Sequence, residues 1–351
     1  MKKIITVLLV VALLFSMAAC AGTGAKNDKF VGISMPTQDL QRWNQDGANM
    51  KEKFEAAGFK VDLQYANNEV ATQVSQIENM ISAGVKVLVI AAIDGKTLTS
   101  VLASAKTAGI YVIAYDRLIM DTDAVSYYCT FDNYMVGTIQ GQYIKDQLKL
   151  DDGGKYNIEI TAGDPADNNA LYFYQGAIDV LQPYIDSGVL TVVSKQVKFE
   201  EVATPAWSTE TSQARMEAIL ASFYADGTQL DACLCSNDST AKGVTNALAS
   251  SYTGKYPIVT GQDCDIVNTK DIIAGKQAMS IFKDTRTLAA QTVAMVSDLL
   301  AGKTPEVNDT KSYDNGTGII PTFLCAPVFA DKSNYEELLV KSGYYTADQL
   351  K

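Results

Sequence analysis

The sequence contains no histidine among its 351 residues. Histidine is the commonest general base and metal ligand in proteins, so its absence counts against acid–base and metal-dependent chemistry. Cys-x-x-Cys pairs are also absent, which argues against a zinc site. No P-loop and no Gly-x-Gly-x-x-Gly segment occurs, so nothing supports nucleotide binding. We therefore expect neither a metal nor a cofactor.

Basic residues are in the minority. The chain has 29 Lys and Arg against 40 Asp and Glu, a formal net charge of −11. Lys2 and Lys3 lie in the leader described next, so the chain without them carries −13. An acidic excess of this size repels the phosphate backbone, and we expect no nucleic acid partner.

A long apolar run is confined to the N-terminus. Residues 1–19 combine two early lysines, an apolar stretch over 4–15 and small residues before Cys20. This pattern is typical of a secretory signal, and the stretch is too short for an ordinary membrane span. Met17-Ala18-Ala19-Cys20 resembles a lipoprotein box. The resemblance implies a lipoprotein signal peptide at 1–19 and lipidation of Cys20; a plain cleavable signal is the alternative.

Small and polar residues over 20–28 predict a flexible tether. The remaining body is then expected to be exported and lipid-anchored at the outer face of the cell membrane, or at a periplasm-facing membrane. Its cysteines are read as small buried hydrophobes, although an exported protein could pair two of them. The sequence does not say which of the five would pair: Cys129, Cys233, Cys235, Cys264 and Cys325.

Strand-like and helix-like segments alternate from Phe30 onward. The run Val85–Ala92 is nearly all apolar, as a strand buried on both faces should be. The next segments repeat this alternation, which indicates parallel sheets covered by helices. Because the chain is long and a break falls near 128–157, we predict two similar Rossmann-like α/β lobes. The strand at 278–282 and the helix at 284–301 are predicted to return to the first lobe.

Charged and amide side chains follow six of the predicted strands. In an open α/β sheet, ligands bind in the crevice outside the carboxyl ends of the strands. Carboxylates, guanidinium groups and amides there favour a ligand covered in hydroxyls. The six clusters are Gln41-Arg42-Trp43, Asp116-Arg117, Asp167-Asn168-Asn169, Asn237-Asp238, Gln262-Asp263 and Lys283-Asp284.

Several of these residues have a structural alternative. Asp116 and Arg117 could form an ion pair at a hinge, and the clusters at 167–169 and 237–238 could cap helices. We expect Asp238 to cap its helix and Asn237 to face the ligand. Asp132 is expected to cap a helix beside the hinge. Tyr344-Tyr345 is assigned to packing or to the surface.

The motifs together, in this order, resemble the type I sugar-binding proteins of ABC importers, in the xylose-binding and multiple-sugar-binding branch. The resemblance covers nearly all of the chain after the leader. It implies a third crossing, so that a three-segment hinge joins a lobe at 29–131 plus 279–317 to a lobe at 132–278 plus 318–351. The motifs are Arg42-Trp43, Gln76–Met80, Val87–Ile90, Ala114–Arg117, Phe131–Asn133, Asp167–Asn169, Ser236–Asp238, Gly261–Asp263 and Phe282-Lys283.

In that family two lobes close over one pyranose. The resemblance implies first-lobe sugar contacts from Arg42, Trp43, Asp116, Arg117 and Lys283. It implies second-lobe contacts from Asn169, Trp207, Asn237 and Asp263, with Asp167 nearby. Phe282 stands where xylose binders often carry Tyr, and the stretch before Trp207 differs in length from xylose-specific members. The identity of the sugar therefore stays open among aldoses such as xylose, glucose, galactose and arabinose.

Sugar chemistry supports this interpretation without the resemblance. Asp accepts from hydroxyls, Arg and Lys donate, and Trp offers a flat apolar face. The two tryptophans of the chain, Trp43 and Trp207, fall one in each predicted lobe. We expect a monomeric receptor and not an enzyme, and the resemblance implies that it passes a monosaccharide to the transmembrane subunits of an ABC permease. The alternative is a sensor that presents the bound sugar to a membrane kinase or chemoreceptor.

Overall fold

The computed structural model describes residues 29–351. The predicted signal peptide at 1–19, the tether at 20–28 and the lipidation site Cys20 lie outside the described residues. Within them, strands and helices alternate along most of the chain, as the sequence predicts. No helix of the described part is both long enough and apolar enough to cross a bilayer.

The first lobe is a six-stranded parallel sheet with helices on both faces. Its strands are β1 (Phe30–Met35), β2 (Lys60–Tyr65), β3 (Val87–Ile90), β4 (Tyr111–Tyr115), β5 (Tyr127–Phe131) and β11 (Thr322–Cys325), in the spatial order β11-β5-β4-β3-β1-β2. The helices are α1 (Gln41–Ala56), α2 (Val70–Ala83), α3 (Thr99–Thr107) and α10 (Thr285–Leu300).

The second lobe is built around a four-stranded parallel sheet. Its strands are β6 (Tyr156–Thr161), β7 (Leu190–Val192), β8 (Ala232–Cys235) and β9 (Ile258–Val259), in the order β7-β6-β8-β9. An antiparallel pair, β10 (Met279–Phe282) and β12 (Val328–Asp331), forms a two-stranded sheet beside it, linked by a bridge between Gln262 and Ile281. The helices are α4 (Asn133–Leu148), α5 (Asn168–Asp186), α6 (Phe199–Val202), α7 (Thr209–Phe223), α8 (Asp238–Ser251) and α9 (Ile266–Ala274).

Strand β3 shows why the apolar run at its position predicts a central strand. All four of its residues are fully buried. Val87 and Val89 contribute to the core on one face of the sheet, whereas Leu88 and Ile90 contribute to the core on the other face. Successive side chains of a strand point to opposite faces, so a strand covered on both sides needs apolar residues at every position.

Two predicted lobe boundaries differ from the observed strand pairing. The sequence analysis places β10 in the first lobe, but β10 pairs with β12, and its Ile281 bridges to Gln262 after β9. It also places residues from 318 onward in the second lobe, but β11 pairs in parallel with β5. The predicted positions of both short strands rest on their order in the chain. That order does not determine which sheet a strand joins.

Three chain segments connect the lobes, as predicted. They are 131–133 between β5 and α4, 282–285 between β10 and α10, and 325–328 between β11 and β12. Helix α4 packs on α5, β8 and β10, while α10 packs on α1, β5 and β11. Asp132 caps α4 by accepting from the Met135 backbone N–H at 2.9 Å, so the predicted cap at this crossing is confirmed.

All five cysteines of the described residues are buried and unpaired. Burial raises the pKa of the Cys235 thiol well above its usual value, which keeps it in the neutral form. The interpretation of these cysteines as small buried hydrophobes agrees with this arrangement.

Candidate ligand-binding site between the lobes

A polar cavity lies between the lobes, at the carboxyl ends of the strands. Its empty volume, which includes space open to solvent, is about 300 Å³. Three cations and three carboxylates face it, so its formal charges balance. The lining residues are Leu40, Arg42, Trp43, Asp116, Arg117, Asp167, Phe173, Trp207, Asn237, Gln262, Asp263 and Lys283.

Arg42 forms more ion pairs than any other charged residue that lines the cavity. It lies in the first turn of α1 and is 6% exposed. Its guanidinium donates to Asp46, one turn along the helix, and to Asp116, both at 2.9 Å. It also reaches Asp263 of the second lobe at 3.4 Å. Burial would lower the pKa of Arg42, but the surrounding carboxylates outweigh burial and raise that pKa well above its usual value.

Asp116 follows β4 with a positive φ of 59°, a conformation that non-glycine residues rarely adopt and that often marks functional sites. Its carbonyl oxygen accepts from the Tyr128 and Thr130 hydroxyls, at 2.6 and 2.9 Å. These bonds hold the strained turn in place. Burial alone would raise the pKa of the Asp116 carboxyl, but Arg42 and Lys283 lower it below its usual value, so the group stays ionised as a hydrogen-bond acceptor.

Asp263 and Lys283 complete the cluster of charged side chains around Arg42 and Asp116. Asp263 also has a positive φ, of 98°. Lys283 lies in the second crossing segment, 3.1 Å from the Asp263 carboxylate and 3.9 Å from the Asp116 carboxylate. This ammonium is therefore shared between an acceptor of each lobe.

Both tryptophans line the cavity. Trp43 is 2% exposed, and the guanidinium groups of Arg42 and Arg117 lie 4.4 and 5.1 Å from the centre of its ring. Trp207 packs against Phe173 at 6.2 Å between ring centroids. The indole N–H of each tryptophan is buried and has no hydrogen-bond partner among residues 29–351. Buried polar groups are normally paired, so these two donors indicate a ligand.

A glycine makes room for Trp207. A Cβ atom at Gly163 would lie 1.9 Å from the Trp207 ring, far inside van der Waals contact. Gly163 follows β6 and supports the indole through a backbone without a side chain. No pattern in the sequence around Trp207 predicts this contact with Gly163.

Arg117 and Asp167 form an ion pair across the cleft. Arg117 Nε lies 3.0 Å from Asp167 Oδ2, but without the alignment of a hydrogen bond. The same guanidinium donates to the Ala92 carbonyl oxygen at 3.0 Å. Burial raises the pKa of the Asp167 carboxyl above its usual value despite this partner.

The predicted roles of Asn237 and Asp238 are only partly correct. Asn237 lines the cavity, but it also caps α8, because its side-chain oxygen accepts from the Thr240 backbone N–H at 2.9 Å. The prediction that Asp238 is the cap is wrong. The Asp238 carboxylate is buried and accepts from Gln277, Ser280 and the Asp265 backbone N–H, each at 2.8 Å. The amide nitrogen of Asn237 is left to face the cavity.

Asn169 does not line the cavity. Its amide donates to the Asp116 carbonyl oxygen at 2.6 Å, and its side-chain oxygen accepts from the Asn133 amide at 3.1 Å. The structure thus places Asn169 behind the site, where it connects the second lobe to the strained turn of Asp116. This differs from the direct ligand contact that the resemblance implies.

Three lining residues are absent from the predicted set: Leu40, Phe173 and Gln262. Gln262 lies in a cluster that the sequence singles out, but its neighbour Asp263 is the residue that the resemblance selects. Its side-chain nitrogen donates to the Ser236 carbonyl oxygen at 3.0 Å, while its buried side-chain oxygen finds no donor within 29–351. Gln262 therefore offers the cavity a buried polar atom without a hydrogen-bond partner, as Trp43, Trp207 and Arg117 do.

Two α/β lobes joined by three segments around a polar cavity define a periplasmic binding protein. The model of the periplasmic binding protein domain matches residues 31–304. The chain is also 50% identical over 356 residues to the multiple sugar-binding periplasmic receptor ChvE of Rhizobium radiobacter, covering 100% of both chains. The D-xylose-binding periplasmic protein of Escherichia coli is 35% identical, with 99% of each chain covered.

A solved structure shows the same architecture. The ABC transporter solute-binding protein of Clostridium phytofermentans with bound β-D-glucose is 68% identical, with a TM-score of 0.91 over 92% of this chain and 100% of that chain. The chain belongs to the type I periplasmic sugar-binding proteins. These relatives confirm the predicted family and fold, and they confirm a binding protein and not an enzyme.

Proposed function

We propose that this protein is an extracytoplasmic receptor that binds one pyranose, such as D-glucose, between its lobes and delivers it to an ABC permease. The observation that carries the proposal is the buried pair of tryptophan N–H groups without partners beside balanced charges. The glucose bound by the Clostridium phytofermentans protein supports the size and class of the ligand. The multiple sugar-binding relative supports a site that accepts more than one sugar.

The proposed contacts follow from the chemistry of each group. Asp116 and Asp263, both in strained turns, accept hydrogen bonds from sugar hydroxyls, while Arg42, Arg117 and Lys283 donate to them. Trp43 and Trp207 stack on the C–H faces of the ring and donate one N–H each. The free amide of Asn237 completes the set, Asp167 orients Arg117, and Asn169 supports Asp116 from behind.

Closure is the functional event in this proposal. The contacts come from both lobes, so the sugar favours the closed form by the difference between its affinities for the two forms. A permease that recognises the closed pair of lobes then accepts only the loaded receptor. Lipidation of Cys20 would keep the receptor at the membrane that holds the permease.

Calorimetric titration tests the ligand class. The panel contains D-glucose, D-galactose, D-xylose and L-arabinose, with an amino acid as a non-sugar control. Binding of at least one aldose at micromolar concentration supports the proposal, and no heat from any sugar overturns it. Stimulation of the ATPase of a reconstituted permease by the loaded receptor tests delivery; a response confined to a sensor kinase or chemoreceptor would instead favour the sensor alternative.

A further inference from the structure

The C-terminal segment brings two tyrosines to the interface between the lobes. Tyr345 is buried in an apolar cluster of the second lobe, with Phe282, Leu339 and Leu350 among its neighbours. Helix α1 of the first lobe faces its hydroxyl. The segment therefore belongs to one lobe by packing and reaches the other lobe by hydrogen bonds.

The Tyr345 hydroxyl uses all of its hydrogen-bonding capacity. It accepts from the side-chain amides of Gln41 at 2.7 Å and Gln45 at 3.2 Å, both on α1. It donates to the Cys264 carbonyl oxygen at 2.9 Å, within its own lobe. Gln41 precedes Arg42 and Cys264 follows Asp263, so this hydroxyl joins the chain segments that carry two ligand-site charges.

Gln41 makes a second bond across the cleft. Its side-chain oxygen accepts from the backbone N–H of Ile266 at 3.1 Å, at the first residue of α9. The N-terminal N–H groups of a helix lack partners inside the helix, and the residue before α9, Asp265, does not cap it with its side chain. Helix α1 thus supplies a partner for α9 only while the lobes are together.

Tyr344 adds contacts nearer the hinge. Its hydroxyl donates to Gln45 Oε1 at 3.1 Å and lies 3.2 Å from the Thr285 hydroxyl. Gln45 therefore bonds both tyrosines, one through each end of its amide. Thr285 is part of the crossing segment at 282–285, so these hydrogen bonds extend from the hinge to the N-terminal end of α1.

We infer that Tyr345, held by Gln41 and Gln45, is a positioning residue that latches the two lobes in the closed form and so sets affinity without touching the ligand. This inference rests on the proposed binding of a sugar between the lobes. Opening would break the bonds to Gln41 and Gln45 but leave the bond to Cys264 intact. Loss of two cross-lobe hydrogen bonds predicts binding about tenfold weaker.

The test compares Tyr345→Phe with Tyr335→Phe in the full chain. Tyr335 lies in the same segment, and its hydroxyl bonds only to its neighbour Glu336 among residues 29–351, at 3.3 Å. Dissociation constants and dissociation rates are measured with the tightest sugar of the panel. Spin labels at Glu52→Cys and Lys270→Cys, both exposed, report the distance between the lobes without and with that sugar. Thermal unfolding of the ligand-free proteins is recorded in parallel.

The latch predicts that Tyr345→Phe dissociates about tenfold faster and shifts the ligand-free distance distribution toward the open form, while loss of the bond to Cys264 lowers the thermal midpoint in addition. Tyr335→Phe should match wild type in all three. Combining Tyr345→Phe with Gln41→Ala should weaken binding by less than the product of the separate effects. Unchanged dissociation and distances, or a lower midpoint alone, would overturn the latch. If wild type binds no sugar of the panel, the proposed function fails, and the ligand-free distances still decide on the latch.

Discussion

Replacing each tryptophan of the site by phenylalanine separates ligand binding from folding. In the ligand-free protein the indole N–H groups of Trp43 and Trp207 are buried without partners, so their removal costs the folded state no hydrogen bond. The bound sugar, in contrast, loses one hydrogen bond and part of a stacking surface. A net hydrogen bond contributes about 0.5–1.5 kcal/mol, and the lost ring area adds to this value. We expect each variant to bind about 5- to 20-fold more weakly, since ~1.4 kcal/mol is tenfold.

The assay is a calorimetric titration of wild type, Trp43→Phe and Trp207→Phe with the tightest sugar of the panel. Tyr134→Phe serves as the control, because the Tyr134 hydroxyl bonds to Asp179 on the same surface, away from the cavity. Tryptophan emission provides an independent readout, since each variant retains a single indole in the site. The reasoning is refuted if both variants keep wild-type affinity, or if their thermal midpoints drop while the affinity of the folded fraction is unchanged.

Three further predictions concern individual residues. Asp263→Ala should weaken sugar binding at least about tenfold, ~1.4 kcal/mol, in a titration where Asp226→Ala, a surface control, has no effect. Gly163→Ala should push the Trp207 ring out of place and weaken binding by a similar factor while lowering stability by about 1–3 kcal/mol; equal affinity would contradict the placement of that ring. Burial raises the pKa of Asp46 from 3.8 to about 6, so the folded state binds the extra proton, and stability should fall as pH rises from about 4 to 6. Denaturant titrations at several pH values should show this fall in the free energy of unfolding in wild type and a smaller fall in Asp46→Asn. Equal slopes would mean that another group causes the pH dependence.

The class of the fold and most of the site follow from short-range patterns. Apolar runs of strand length that end in polar residues predict both the parallel sheets and the crevice, because the carboxyl ends of parallel strands meet at one edge. Arg42, Asp116 and Lys283 are therefore predictable without knowledge of the tertiary packing. The ion pair between Arg42 and Asp263 joins the two lobes, so it depends on their closed arrangement, which no local pattern describes.

The misassigned features depend on distant contacts. β10 and β11 have four residues each, and such a strand carries no local information about which sheet will accept it. Asn237 and Asp238 are both good capping residues, and the choice is made by Gln277 and Ser280, which bind the Asp238 carboxylate. Asn169 is diverted from the cavity because its amide donates to the carbonyl oxygen of Asp116.

The hydrogen bonds of Tyr344 and Tyr345 also depend on distant contacts that local sequence does not predict. Two adjacent tyrosines near a chain terminus are most simply read as packing or surface residues. Their hydroxyls gain meaning only because the C-terminal segment folds back beside α1, some three hundred positions earlier in the chain. A contact between residues so far apart in the chain leaves no periodic pattern in the sequence.

The position of Lys283 has a kinetic consequence. It lies in a crossing segment, so it sits near the axis of rotation and moves little when the lobes part. An arriving sugar then meets the same ammonium whether the cleft is wide or narrow, and the first encounter takes place there. Arg42 and Trp207, which lie in one lobe each and not in a crossing segment, engage afterwards. Capture and retention are thereby divided between a crossing segment and the two lobes, so mutations at Lys283 should act on association and those at Arg42 and Trp207 on residence time.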